Sequence, residues 1–195
     1  TLLRNGTEME RYSLGIVGKH NISNTLACLA MASLFNVSPE VCQSGLSKYK
    51  GTERRFQLKG EYNGATIIDD YAHHPTEVRA TLTSARNYPH KTLWVAFQPH
   101  TYSRTKNFLT DFSDALSLAD KIVLADIYAA REKDPGDISS EDLAEQLKKS
   151  GKETFYIGSL EDIKNFFEKN LVNGDLLITM GAGNIVEVGE ALLKQ

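Results

Sequence analysis

Ala65-Thr66-Ile67-Ile68-Asp69-Asp70-Tyr71-Ala72-His73-His74-Pro75-Thr76-Glu77 passes from an apolar stretch into a polar turn, and then to a proline where a helix tolerates one. Read outward from there, residues 65–69 predict a strand and 76–87 a helix. The same alternation continues downstream. Strands are expected at 92–97, 121–125, 154–157 and 175–179, and helices at 106–119, 141–149, 160–169 and 185–193. Ser140 is the expected N-cap of the 141–149 helix and Gly151 its stop. Val/Ile/Leu-rich strands alternating with amphipathic helices imply a parallel sheet covered on both faces. The fold class is α/β: a Rossmann-like, doubly wound, mostly parallel sheet.

Upstream the pattern differs. Two short strands are expected at 1–3 and 11–17 around the turn-forming Asn5-Gly6, then a helix over 21–35 and a second helix started by Ser38-Pro39-Glu40. Ile22, Leu26, Leu29, Ala30 and Leu34 share one face of the first helix. These elements are too few to bury a core of their own, so residues 1–52 are expected to belong to a larger domain and 53–195 to form the sheet domain. The start at Thr1, without an initiator methionine, gives the same expectation of a fragment.

The chain has 195 residues, 41 % hydrophobic and 24 % charged, with 22 Lys+Arg against 25 Asp+Glu. That composition is globular, and a net charge of −3 supplies no global field for nucleic acid or an anionic membrane. An anionic ligand must be held by local donors. No apolar run has the length of a membrane span. Cys28 and Cys42 lack the number of a disulfide framework and the spacing of a metal site, and read as reduced thiols of a cytoplasmic protein.

Open parallel sheets bind ligands beyond the carboxyl ends of their strands. Dense polar or glycine-rich turns follow four of the expected strands: 69–77, 98–105, 126–132 and Gly181-Ala182-Gly183-Asn184. They carry carboxylates, imidazoles, phenols and guanidiniums, with helix N-termini facing them. This chemistry suits a nucleotide together with an acidic small molecule. Several features have a second reading. His73-His74 with Asp69 or Asp70 could ligate a metal, but neighbouring side chains on a turn diverge and no further ligand stands at metal spacing. Asp70 could be a helix cap and His74 could pack beside Pro75. Arg104 could be a solvated arginine at a helix start. The glycine turn fits close strand–helix passage as well as phosphate binding. Asn21 and Asn24 share a helix face, and Asn21 could be the N-cap. No G-x-x-x-x-G-K-[ST] phosphate loop occurs; Gly15-Ile16-Val17-Gly18-Lys19-His20 has the wrong glycine spacing and no hydroxyl after the lysine.

Six blocks occur in one order: Gly18-Lys19-His20-Asn21-Ile22-Ser23-Asn24, Arg54-Arg55-Phe56, residues 69–77, Phe97-Gln98-Pro99-His100, Ser103-Arg104-Thr105 and Gly181-Ala182-Gly183-Asn184-Ile185. Together they resemble the Mur ligase family over nearly the whole chain. The resemblance implies a UDP-binding domain, a central ATPase domain and a C-terminal Rossmann-like domain, of which this chain would hold the tail of the second and all of the third. It implies ATP and Mg²⁺ as cofactors, with the phosphate loop and the metal and catalytic ligands outside this chain. It also implies UDP-N-acetylmuramate and L-alanine as substrates, joined through an acyl phosphate, with the rest of the enzyme as partner. Carried over position by position, His20, Asn21 and Asn24 match residues at the adenine, Arg55 one at the ATP phosphates, and Asp70 one at the ribose and phosphates. Tyr71, His73 and Arg104 match positions facing the amino acid and the acyl end of the sugar. Thr101 stands where many relatives have arginine, which leaves Arg104 as the main carboxylate clamp. Two other functions compete: a relative that attaches a tripeptide to the same UDP-sugar, and a nucleotide-binding module without catalysis.

Overall fold

The computed structural model describes residues 1–16 and 18–194, and the side chains of all of these except Arg4, Lys19 and His20. It divides into two compact units, Thr1–Glu53 and Arg54–Gln195.

In the first unit, β1 (Leu2–Arg4) and β2 (Thr7–Glu10) form an antiparallel hairpin. Asn5 and Gly6 turn it with φ of 51° and 80°, the left-handed pair that matches strand twist. A two-residue turn places its strands immediately on either side. The second strand therefore occupies 7–10, and the expected strand over 11–17 is corrected: residues 11–16 are irregular. Helix α1 (Lys19–Leu34) starts two residues earlier than expected, so Asn21 lies inside the helix and Gly18 is its N-cap. Helix α2 (Pro39–Lys48) begins with its proline in the first turn. No described residue of this unit is buried. Ile22, Leu26 and Leu34 remain 61 %, 53 % and 74 % exposed, so the apolar stripe of α1 meets no core within the unit.

The second unit runs β3 (Gln57–Tyr62), β4 (Ala65–Asp70), α3 (Pro75–Ala85), β5 (Leu93–Phe97), α4 (Tyr102–Asn107), α5 (Leu109–Leu116), β6 (Lys121–Ala125), α6 (Ser140–Lys149), β7 (Glu153–Gly158), α7 (Leu160–Asn170), β8 (Leu176–Met180) and α8 (Val186–Leu192). The sheet order is β3-β4-β8-β5-β6-β7, parallel except for the antiparallel edge pair β3–β4. Strand β3 is absent from the sequence reading. A bulge between Leu58 and Gly60 breaks its register, and Leu58 is 59 % exposed, so its apolar signal is weak. Period-two alternation divides adjacent apolar residues between two cores. Ile68, Val95, Ile122 and Ile178 pack with Val78, Phe112 and Leu147. Ile67, Trp94, Val123 and Leu177 pack with Phe167, Val188 and Leu192 on the other face. Burial on both faces explains the apolar run of β5 and that of β8, which only Thr179 interrupts.

Two helix expectations change. The 106–119 helix is two helices broken at Phe108, whose ring turns to meet His74 edge-on at 4.9 Å. The earlier start at Tyr102 places Arg104 within a helix rather than on a turn. The cap of α6 is Ser139, not Ser140: its hydroxyl accepts from the Asp142 amide while the Asp142 carboxylate accepts from the Ser139 amide.

Candidate functional site

The turn after β4 is organised by carboxylates accepting backbone amides. The two Asp70 oxygens accept from the amides of Phe56 and Ala72, each at 2.8 Å. Burial pushes its carboxyl upward in pKa, against the pull of those amides, the Arg55 charge and the Thr81 hydroxyl. A carboxylate held in this way shapes the chain around Arg55 and Tyr71. It is not the cap of α3. That role belongs to His74, whose Nδ1 accepts from the Thr76 amide at 3.3 Å, while Glu77 Oε2 accepts from the His74 and His73 amides at 3.3 and 3.0 Å. His73 Nδ1 lies 2.9 Å from the carbonyl of Tyr71. A carbonyl only accepts, so Nδ1 carries a proton and Nε2 is the ring nitrogen left to face a ligand.

Beyond β5, Thr101 adopts φ 61° and ψ 158°, a conformation that strongly disfavours a β-branched residue. Its amide donates to the Tyr128 carbonyl at 3.4 Å, and its carbonyl accepts from the Thr105 amide and hydroxyl at 3.0 and 2.7 Å. This kink starts α4 so that Arg104 falls one turn after His100. Arg104 Nη1 donates to His100 Nδ1 at 3.3 Å and to the His100 carbonyl at 3.4 Å. Glu132, from the turn after β6, clamps the same helix start by accepting from the Ser103 amide at 2.9 Å and from its hydroxyl.

The glycine turn after β8 is shaped by close approach. A Cβ on Gly181 would stand 2.7 Å from the Gln98 carbonyl oxygen, and one on Gly183 would stand 2.8 Å from the Tyr128 ring. Gln98 donates to Asn184 Oδ1 at 3.0 Å and accepts from the Ile185 amide at 3.2 Å. Arg54 fills the remaining space. Its Nε donates to Asp69 at 2.9 Å, Nη1 to the Gly183 carbonyl at 3.1 Å, and Nη2 to the Gly181 carbonyl at 2.7 Å. Of the two sequence readings of this turn, close strand–helix passage describes its geometry.

These contacts form a closed ring. The Arg54 guanidinium lies 4.9 Å over the Tyr71 ring. Tyr71 meets His73 at 5.3 Å, His73 meets His100 at 5.7 Å, and His100 stacks on Tyr128 at 5.7 Å and 14°. Tyr128 packs against Gly183, whose carbonyl returns to Arg54. Arg55 is exposed, with its guanidinium 5.7 Å from the Tyr71 ring, and Arg104 joins at His100. Thus Arg55, Tyr71, His73 and Arg104 gather at the carboxyl edge of the sheet, and Asp70 lies beneath them. Asn21 and Asn24 belong to the other unit, where Asn24 Nδ2 donates to Asn21 Oδ1 at 3.4 Å. The His20 side chain, expected at the adenine, lies outside the described residues.

Sequence reasoning assigned no role to Arg54, Gln98, Tyr128 or Glu132. Their partners lie 127, 86 and 29 residues away for the first, second and last, and no local pattern announces such pairings. Among the described residues no group of three or more His, Cys, Asp or Glu is assembled to hold a cation. The carboxylates nearest the rim are committed, Asp69 to Arg54 and Thr179 and Asp70 to backbone amides. Among the described residues no helix is long and apolar enough to cross a membrane.

A rim of guanidinium, imidazole and phenol thus lies at the carboxyl edge of a mostly parallel sheet, where open α/β sheets bind their ligands. A family model for the Mur ligase glutamate ligase domain matches residues 54–183, and the chain belongs to that family. Its relatives narrow the comparison. The chain is 58 % identical over 194 residues to the UDP-N-acetylmuramate–L-alanine ligase of Lachnospira eligens and 55 % identical over 195 residues to that of Agathobacter rectalis, covering 100 % of this chain in each case. It spans 42 % of the length of each of those relatives. Among solved structures, the UDP-N-acetylmuramate–alanine ligase of Thermotoga maritima superposes with a TM-score of 0.84 at 25 % identity, over 98 % of this chain and 41 % of that one. The murein peptide ligase of Psychrobacter arcticus shares the fold, with a TM-score of 0.66 at 23 % identity over 94 % of this chain and 38 % of that one.

Proposed function

We propose that this chain supplies the amino-acid-facing part of an ATP-dependent ligase that joins L-alanine to UDP-N-acetylmuramate, with residues 1–52 the tail of its central ATP-binding domain. The observation that carries the reading is the continuous rim Arg55–Tyr71–His73–His100–Arg104, with a guanidinium at each end and a neutral-capable imidazole between them. The identity of 58 % to an L-alanine ligase over the whole chain supports the substrate assignment.

In this scheme the muramate carboxylate takes the terminal phosphoryl group of ATP, releasing ADP. The alanine amine then attacks the acyl carbon and phosphate leaves. Such chemistry depends on positioning and charge neutralisation. The Arg104 fork is suited to hold the alanine carboxylate by paired hydrogen bonds. His73 presents Nε2 as an acceptor for a proton leaving the alanine ammonium. Arg55, exposed and not drawn into the glycine turn, is suited to the ATP phosphates. Asp70 acts through the turn it builds around Arg55 and Tyr71. His20, Asn21 and Asn24 serve the adenine, and the Mg²⁺ ligands lie outside this chain.

The test uses the full-length protein containing this chain, assayed for ADP release with UDP-N-acetylmuramate and either L-alanine or a tripeptide as acceptor. Release that depends on L-alanine supports the reading; release only with the tripeptide assigns the recycling reaction, and release with neither rejects both. Arg104→Ala is expected to raise the KM for L-alanine, and an unchanged KM removes its role as clamp.

A further inference from the structure

Arg54 and Arg55 are adjacent, yet they are used in opposite ways. Arg55 is exposed, whereas the Arg54 side chain is 24 % exposed and each nitrogen of its fork meets a different acceptor. Its charge is matched by Asp69, which is fully buried and also accepts from the Thr179 hydroxyl at 2.7 Å. Arg54 therefore has no free charge for an anionic ligand. It adds a side-chain link between two parts of the rim that the sheet joins only where the Gly181 amide donates to the Asp70 carbonyl at 3.1 Å. The Tyr71 amide donates to the Arg54 carbonyl at 2.7 Å, and its ring lies under the guanidinium. The carbonyls of Gly181 and Gly183 both point to the same guanidinium. The backbone is shaped for this, since Arg54 has φ 56° and its amide is held by Gln57 Oε1 at 2.9 Å.

We propose that Arg54 is a positioning residue: by tying the glycine turn after β8 to Tyr71 it closes the ring Arg54–Tyr71–His73–His100–Tyr128–Gly183 and thereby sets the placement of His73 and Arg104. The proposal rests on the ligase reading given above. Lysine offers one compact charge where the planar guanidinium aims a donor from each of its three nitrogens, so charge alone does not replace the fork. Removing Arg54 alone would strand the Asp69 charge in the interior and confound placement with folding. Removing both charges separates the two effects.

The experiment compares wild type, Arg54→Met/Asp69→Asn and Arg54→Lys in the full-length protein, by thermal melting and by kcat and KM for L-alanine-dependent ADP release. The double variant is expected to melt near wild type while losing on the order of 10- to 100-fold in kcat, the scale expected when reacting groups are misplaced by about an ångström. Arg54→Lys is expected to fold and to show the same deficit. Wild-type kcat and KM in the double variant overturn the proposal and leave Arg54 a stabilising residue only. If the double variant does not fold, Arg54→Lys decides alone: full activity overturns the proposal and lost kcat with intact melting supports it. Inactivity of the wild-type protein is a different result and defeats the ligase reading itself.

Discussion

Arg104 Nη1 stands 3.3 Å from His100 Nδ1, and the same nitrogen reaches the His100 carbonyl at 3.4 Å. A guanidinium cannot accept, so Nδ1 must, and the ring is a neutral Nε2–H tautomer.

This pairing has a pH signature. Burial, then the Arg104 charge and then His73 push the His100 pKa below its ordinary 6.5. Where the folded pKa is depressed, the unfolded chain binds the extra proton first as pH falls. His100 should therefore cost stability as pH falls below about 6.5, until the folded ring also protonates. Melting temperature against pH should show a weaker loss in this window for His100→Gln than for wild type. Parallel curves for the two proteins would contradict the assignment.

The glycine turn should tolerate no side chain. At Gly181, φ is 147° and the Gln98 carbonyl blocks a Cβ at 2.7 Å, so Gly181→Ala should cost on the order of 3 kcal/mol in denaturant unfolding. Gly136 also has positive φ, 71°, but open space around it. Gly136→Ala should cost only about 1 kcal/mol. Equal losses at the two sites would mean that crowding contributes nothing.

Glu132 should govern the first turn of α4. Its pKa is lowered, first by the Ser103 hydroxyl and then by the Ser103 amide, so the clamp exists above the usual carboxylate range and is released as pH falls through the depressed value. Amide hydrogen exchange at Ser103 should accelerate in Glu132→Ala with little change in melting temperature. Unchanged protection of Ser103 would show that the helix start needs no clamp.

Tyr156 donates to Asp126 Oδ1 at 2.7 Å, and that bond pushes its pKa to about 12. Ionising the phenol breaks the bond, so this contribution to stability declines as pH rises above 10. Ultraviolet titration of Asp126→Asn should show one tyrosine ionising earlier than in wild type. Identical titration curves would place the Tyr156 hydroxyl elsewhere.

The sheet was legible because its signal is local and repeated. Ile67-Ile68, Trp94-Val95 and Leu177-Ile178 are adjacent apolar pairs that only a strand covered on both faces requires. The edge strand β3 was not, because its Leu58 faces solvent and a bulge disrupts its alternation. The position of the rim was also legible, since 69–77, 98–105, 126–132 and 181–184 follow strands that must point the same way. Roles within the rim were less so. The sequence placed Asp70 at this edge but did not show that its two oxygens accept the amides of Phe56 and Ala72. His74 packs, as expected, but against Phe108, and it also caps α3.

The alternation of parallel strands with helices, the two-faced sheet and the concentration of Arg, His and Tyr beyond the strand ends were determined by sequence alone, because periodicity and turn chemistry act between near neighbours. Only the tertiary structure decided which of two adjacent arginines is exposed and which is spent on the glycine turn. It also decided that Gln98 meets Asn184 and that His73 meets His100. The physical reason is the same in each case: a directed hydrogen bond or ring contact depends on distances of a few ångströms between turns far apart in the chain, and sheet order sets those distances.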